Sequence, residues 1–178
     1  MELDELVNRL IALIRADKLD WNFSTAWTKK IKDYLRDMFE SQADAVQVSY
    51  SDGADRHEFM LDVVAWDKSG HETVTLAVEC EWYQKIEEVE NDFRKLLVVK
   101  SPLKLMIFAC NKKARKFRAE DIQEMVKERL RSYRDHVRGE RYVFINFAPF
   151  PDEKAWWIEV PEDGKMEKVP DPIYIQIR

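Results

Sequence analysis

The spacing of apolar residues changes several times along the chain, and each change marks a new element. Leu3, Leu6, Val7, Leu10, Leu13 and Ile14 recur every three or four residues, which predicts an amphipathic helix over Glu2 to Ala16. A second helix starts at Ser24 or Thr25, either of which can cap it. It carries the stripe Trp27, Ile31, Tyr34, Leu35, Met38 and Phe39 and ends near Ser41. The period then falls to two. Ala45 to Ser49 alternates like a strand, Ser51-Asp52-Gly53 is a turn signal, and Glu58 to Trp66 reads as a second strand with Asp62 at its middle. After a turn at Asp67 to Gly70, Thr73 to Trp82 makes a third strand, so the three form an antiparallel meander.

Helical spacing returns at Glu87 to Val99, with Val89, Phe93, Leu96 and Leu97 facing inward, and Ser101-Pro102 closes the segment because proline cannot extend a helix. Leu103 to Cys110 is almost wholly apolar, as expected of a central strand covered on both faces. A basic loop, Asn111 to Arg118, leads into a long helix with the stripe Ile122, Met125, Val126, Leu130, Tyr133 and Val137, which Gly139 stops. Tyr142 to Phe147, Ala155 to Val160 and Ile173 to Ile177 are further strands, the last two at the sheet margin. Within the sixth strand Trp156 and Trp157 alternate, so one belongs to the core and the other to a surface or homodimer contact. A meander followed by helix, strand, helix, strand predicts an α/β three-layer sandwich around a mixed sheet, formed by residues 1–178 as a single domain.

Composition narrows the classes. Hydrophobic residues make up 46% of the 178, with only 4 glycines and 6 prolines, which excludes a disordered or low-complexity chain. No window approaches the roughly 20 uncharged apolar residues of a membrane-spanning helix, and the first fifteen residues lack the basic start of a secretory signal, so a cytoplasmic protein is expected. Cys80 and Cys110 lie in apolar runs without zinc-site spacing and read as reduced core residues, and His57, His71 and His136 form no HxH or HExxH pattern. The net charge of −5 conceals a polarised chain. Residues 94–141 hold 15 Lys/Arg against 6 Asp/Glu, or +9, leaving 14 against 28, or −14, elsewhere.

The third strand raises the chemical question, because LAVECEW ends an apolar run with Glu79 and Glu81 on one face while Val78, Cys80 and Trp82 take the other. A hairpin through Asp67 to Gly70 brings Asp62 to the same place, so three carboxylates are expected to converge. Like charges a few ångström apart repel by several kcal/mol near a protein surface, so something positive is required among them. A hard divalent cation such as Mg²⁺ takes oxygen ligands of this kind, and lysine or arginine can share the task. Lys95, with Asn91 one turn before it, is offered by the next helix, and Arg56 and Arg94 are available to Asp62.

Asp62, then Glu79-Cys80-Glu81 at the end of the next strand, then a helix, resembles the PD-(D/E)XK nuclease superfamily, with the likeness covering about Glu58 to Cys110. The resemblance implies a restriction-endonuclease-like fold and Mg²⁺- or Mn²⁺-dependent hydrolysis of DNA. It also implies metal ligation by Asp62, Glu79 and the Cys80 carbonyl. No proline precedes Asp62, and the family's lysine falls at position 81, where this chain has glutamate. Some members carry glutamate there, and others move the lysine to the following helix, which Lys95 matches. The implied catalytic set is therefore Asp62, Glu79, Glu81 and Lys95, with Lys112, Lys113, Arg115, Lys116 and Arg118 on the nucleic-acid backbone. The competing expectation is an inactive descendant of the fold that serves as a binding or interaction module.

Overall fold

The computed structural model describes residues 2–17, 24–40, 46–50, 60–67, 73–82, 85–109, 118–147 and 153–177. Four helices lie among them: α1 (Leu3–Ala16), α2 (Ser24–Glu40), α3 (Ile86–Val98) and α4 (Ala119–Ser132). In α1, Leu6, Val7, Leu10, Ile11 and Ile14 are buried on one stripe, so the helix is held by packing more than by capping. At the start of α4, Asp121 reaches back to accept the Arg118 backbone N–H at 2.6 Å, which satisfies a donor left open by the helix start. No helix among the described residues is long and apolar enough to cross a membrane.

Among the described residues seven strands form one mixed sheet in sequence order: β1 (Val46–Tyr50), β2 (Val63–Asp67), β3 (Thr73–Glu81), β4 (Leu103–Phe108), β5 (Arg141–Asn146), β6 (Lys154–Glu159) and β7 (Ile173–Ile175). β1, β2 and β3 are the expected antiparallel meander, while β3, β4 and β5 run parallel and β6 and β7 return antiparallel. The parallel pairs need crossovers, which α3 and α4 supply. Two successive right-handed crossovers in the same direction put both helices on one face.

The core accordingly divides in two. On one side α1 and α2 cover Val63, Ala65, Leu76, Val78, Leu105, Ile107, Val143 and Ile145. On the other, α3 and α4 cover Val64, Ala77, Met106, Phe108, Tyr142, Phe144 and Trp156. β4 sits fourth of seven and sends alternate residues into both layers, which is why its sequence is apolar at every position but Lys104. Trp156 stacks on Phe144 in the α3/α4 core, whereas Trp157 is partly buried on the other face beneath the Arg141 guanidinium.

Two expectations about boundaries are corrected. β2 begins at Val63, so Asp62 precedes the strand instead of standing at its middle, and the first expected residues, Glu58 and Phe59, lie outside the described ones. Met60 has φ of +52°, a left-handed conformation uncommon for a residue with a side chain, and the bend that follows breaks the alternation. Leu61 and Val64 enter the α3/α4 core while Val63 enters the other. The second correction concerns α4, which ends at Ser132 and not near Gly139. Tyr133 is extended, and the chain folds back so that His136 Nε2 donates to the Leu130 carbonyl at 2.8 Å.

That folded-back segment closes a buried polar network unannounced by the hydrophobic pattern. Lys104 is fully buried on β4, its Nζ 2.9 Å from Glu140 Oε2 and 3.0 Å from the Tyr142 hydroxyl. Burial pulls the Lys104 pKa down against the pull of Glu140, and burial also raises the Tyr142 phenol, so Tyr142 stays neutral. The Val137 N–H also donates to Glu140 Oε2 at 3.3 Å, which fixes the turn before β5.

Candidate functional site

The carboxylates singled out from sequence lie where β2 begins and β3 ends. Val63 pairs with Val78, so Asp62 falls beside Glu79 as the antiparallel ladder runs out. β4 ends beside the same place, with Phe108 opposite Glu81 in the parallel register. Residues 110–117, which include Cys110, Lys112, Lys113, Arg115 and Lys116, lie outside the described residues, but the strand leading into them ends next to this cluster.

Each of the two acids is held by a lysine from a different helical layer. Lys32 of α2 places Nζ 2.8 Å from Asp62 Oδ1, and Asp62 Oδ2 accepts the Cys80 backbone N–H at 2.8 Å. Lys95 of α3 lies 3.2 Å from Glu79 Oε1 and 2.7 Å from Asp92 Oδ1. Glu79 is 2% exposed, and its Oε1 has no aligned hydrogen bond although Lys95 is near. The Lys95 ammonium is thus shared between Glu79 and the closer Asp92. Burial, then the charges of Asp92 and Asp62, push the Glu79 pKa up to about 9, and Lys95 offsets only part of this. For Lys95 itself burial acts downward, but the hydrogen bond it donates to Asp92 and the Glu79 charge outweigh it and leave its pKa raised.

Glu81 shares the Glu79 face by strand alternation and is half-buried. The Cys80 N–H bond brings Asp62 to the end of β3 beside Glu79, so these two acids form the candidate pair, with Asp92 reaching Glu79 through the shared Lys95. A pair still fits a hard divalent cation, because Mg²⁺ commonly uses one or two carboxylates and fills its remaining positions with water or phosphate oxygens. The buried Glu79 oxygen without an aligned donor is the observation that favours such an occupant. Asp62 and Glu79 would hold the ion, and the Cys80 carbonyl is the candidate third ligand. The Cys80 thiol is no ligand of this kind: it is free and packs into the α1/α2 core, and burial raises its pKa well above the ordinary thiol value.

Other expected residues have different partners. Arg94 pairs with Glu90 at 2.6 Å, not with Asp62, and Arg56 lies outside the described residues. Asn91 is exposed. Arg118 is exposed and forms an ion pair with Asp121 at 3.1 Å, so its guanidinium is already committed in part to the α4 cap. Trp82 donates its indole N–H to Thr28 Oγ1 at 2.7 Å and tilts against Phe147, which ties the end of β3 to α2.

Lys32 is the site residue the sequence pattern missed. At 3.6 residues per turn it lies only about 20° beyond Phe39 at the edge of the apolar stripe of α2. A lysine there is ordinarily read as solvated, yet this one is 7% exposed. Thr28 and Lys32, one turn apart beside that stripe, were the available signal. Comparison with protein-family models and with curated proteins finds no match for this chain.

Proposed function

We propose that the protein is a divalent-metal-dependent nuclease that hydrolyses phosphodiester bonds in DNA, with a site of the PD-(D/E)XK kind on a restriction-endonuclease-like core. The observation that carries this reading is Asp62 beside Glu79, the latter buried with an oxygen lacking an aligned donor, at the point where β2 begins and β3 ends. The order helix, three antiparallel strands, helix, parallel strand is compatible with that core.

A bound Mg²⁺ or Mn²⁺ supplies Lewis acidity, lowering the pKa of the attacking water and offsetting phosphate charge. Asp62, just before β2, and Glu79, near the end of β3, would hold the ion. Lys95, whose side chain is 39% exposed, is positioned to stabilise negative charge that develops on the phosphate, with Asp92 fixing its direction. Glu81, on the Glu79 face, takes up the proton released by the water. The basic residues Lys112, Lys113, Arg115 and Lys116 follow a strand that ends beside the cluster, where they would contact the DNA backbone with Arg118.

With Mg²⁺ or Mn²⁺ the purified protein is expected to cut single-stranded, duplex or branched DNA, and Asp62→Asn or Glu79→Gln to lower the rate by about 100-fold or more, as expected when a charge-stabilising group is lost. No cleavage of any of the three substrates, or equal cleavage by Asp62→Asn, contradicts the reading. Glu81 at the position of the family's lysine favours the second reading, a catalytically inactive binding or interaction module on the same fold, which would leave all three DNA substrates uncut.

A further inference from the structure

We propose that Lys32 is a positioning residue that sets how tightly the acid pair takes a divalent cation, by holding Asp62 as an internal counter-ion in competition with the metal. The inference rests on the reading of Asp62 and Glu79 as a cation site. It concerns a residue outside the strand–helix segment that carries the resemblance.

Both oxygens of Asp62 are committed, Oδ1 to Lys32 Nζ at 2.8 Å and Oδ2 to the Cys80 N–H at 2.8 Å. The peptide contact fixes the carboxylate at the end of β3 and carries no net charge. The ammonium contact carries a full positive charge. A carboxylate oxygen has a second lone pair, so a cation can still reach Asp62 without breaking either bond. It must then stand within a few ångström of the Lys32 charge, where screening by solvent is weak.

The two lysines differ in their freedom to yield. The Lys95 side chain is 39% exposed and has Asp92 at 2.7 Å, so it can turn from Glu79 to Asp92 when a cation arrives. The Lys32 side chain is only 8% exposed, so it cannot swing out into water as the more exposed Lys95 can. Lys32 therefore keeps Asp62 oriented and its charge offset before the cation enters, and weakens cation binding when it does.

A purely structural lysine and a competing one give opposite signs. Loss of a structural lysine loosens Asp62 and weakens metal binding, whereas loss of a competitor strengthens it. The test is Mn²⁺ titration by calorimetry at pH 8 of wild type, Lys32→Met, Lys32→Gln and Lys32→Arg, each checked for folding by circular dichroism. Lys32→Gln retains a donor for Asp62 and so guards against loss of fold in Lys32→Met. Both uncharged variants are expected to bind Mn²⁺ about tenfold tighter than wild type, with Lys32→Arg close to wild type. Binding by the uncharged variants that equals or falls below that of wild type overturns the role of Lys32 alone. Failure of wild type and all variants to bind Mn²⁺ overturns the cation site and this inference with it.

Discussion

Glu79→Gln is expected to stabilise the metal-free protein, although it alters one of the most buried polar residues. The unfolded chain loses the Glu79 proton near the ordinary value of 4.5, whereas the folded protein keeps it to about 9. Between those values the unfolded state binds fewer protons, so stability falls as pH rises, and it levels off above about 9. Each pH unit in that window costs about 1.4 kcal/mol, so at pH 7.5 the burden approaches about 4 kcal/mol with the Lys95 contact already included. An amide carries no such burden. In the presence of a chelator, Glu79→Gln should therefore unfold about 2–4 kcal/mol less readily than wild type at pH 7.5. It should match wild type below about pH 4.5, and the difference should widen up to about pH 9. Denaturant unfolding of both proteins across that range measures it. A variant less stable than wild type at pH 8 would mean that Glu79 is an ionised, well-paired carboxylate.

Glu140→Gln is expected to act in the opposite direction, lowering stability by about 3–5 kcal/mol, because it leaves the fully buried Lys104 ammonium without its partner. The cost arises from stranding a charge. Removing both charges together in Lys104→Met/Glu140→Gln should recover most of the loss, since a buried pair replaced by uncharged groups of similar volume is often neutral. A double-mutant cycle followed by urea unfolding is thus expected to give a coupling energy of about 2 kcal/mol or more. Additive single and double variants would show that Glu140 fixes the turn through its contact with Val137 and that Lys104 needs no counter-charge.

Much of the fold was legible because its signals are local. The helix stripes, the meander and the central position of β4 follow from periods of 3.6 and 2 in neighbouring residues, and the antiparallel pairing of β2 with β3 brings Asp62 to Glu79, although most of the expected Asp67 to Gly70 turn lies outside the described residues. The features that escaped depend on the meeting of distant segments. The bend at Met60 that moves Asp62 out of β2 is a backbone event with no glycine to announce it. Lys104 was concealed within LKLMIF, where an apolar run reads as uninterrupted core, and its partner Glu140 lies 36 residues on. Lys32 lies 30 positions before Asp62 and looks like any lysine bordering a helical stripe. The extent of α4 was misjudged because Tyr133 and Val137 continue the helical spacing, whereas the chain turns at Tyr133 so that His136 can reach Leu130 and Glu140 can meet Lys104.

A crystal soaked in Mn²⁺ at pH 8.5, read by anomalous scattering, tests the acid pair most directly. The account predicts a single strong peak touching oxygens of both Asp62 and Glu79, at about the 2.0–2.2 Å expected of a hard divalent ion on carboxylates, and no such peak in Glu79→Gln. Wild-type crystals with no peak between these residues, while Lys32 and Lys95 keep their places, would contradict it.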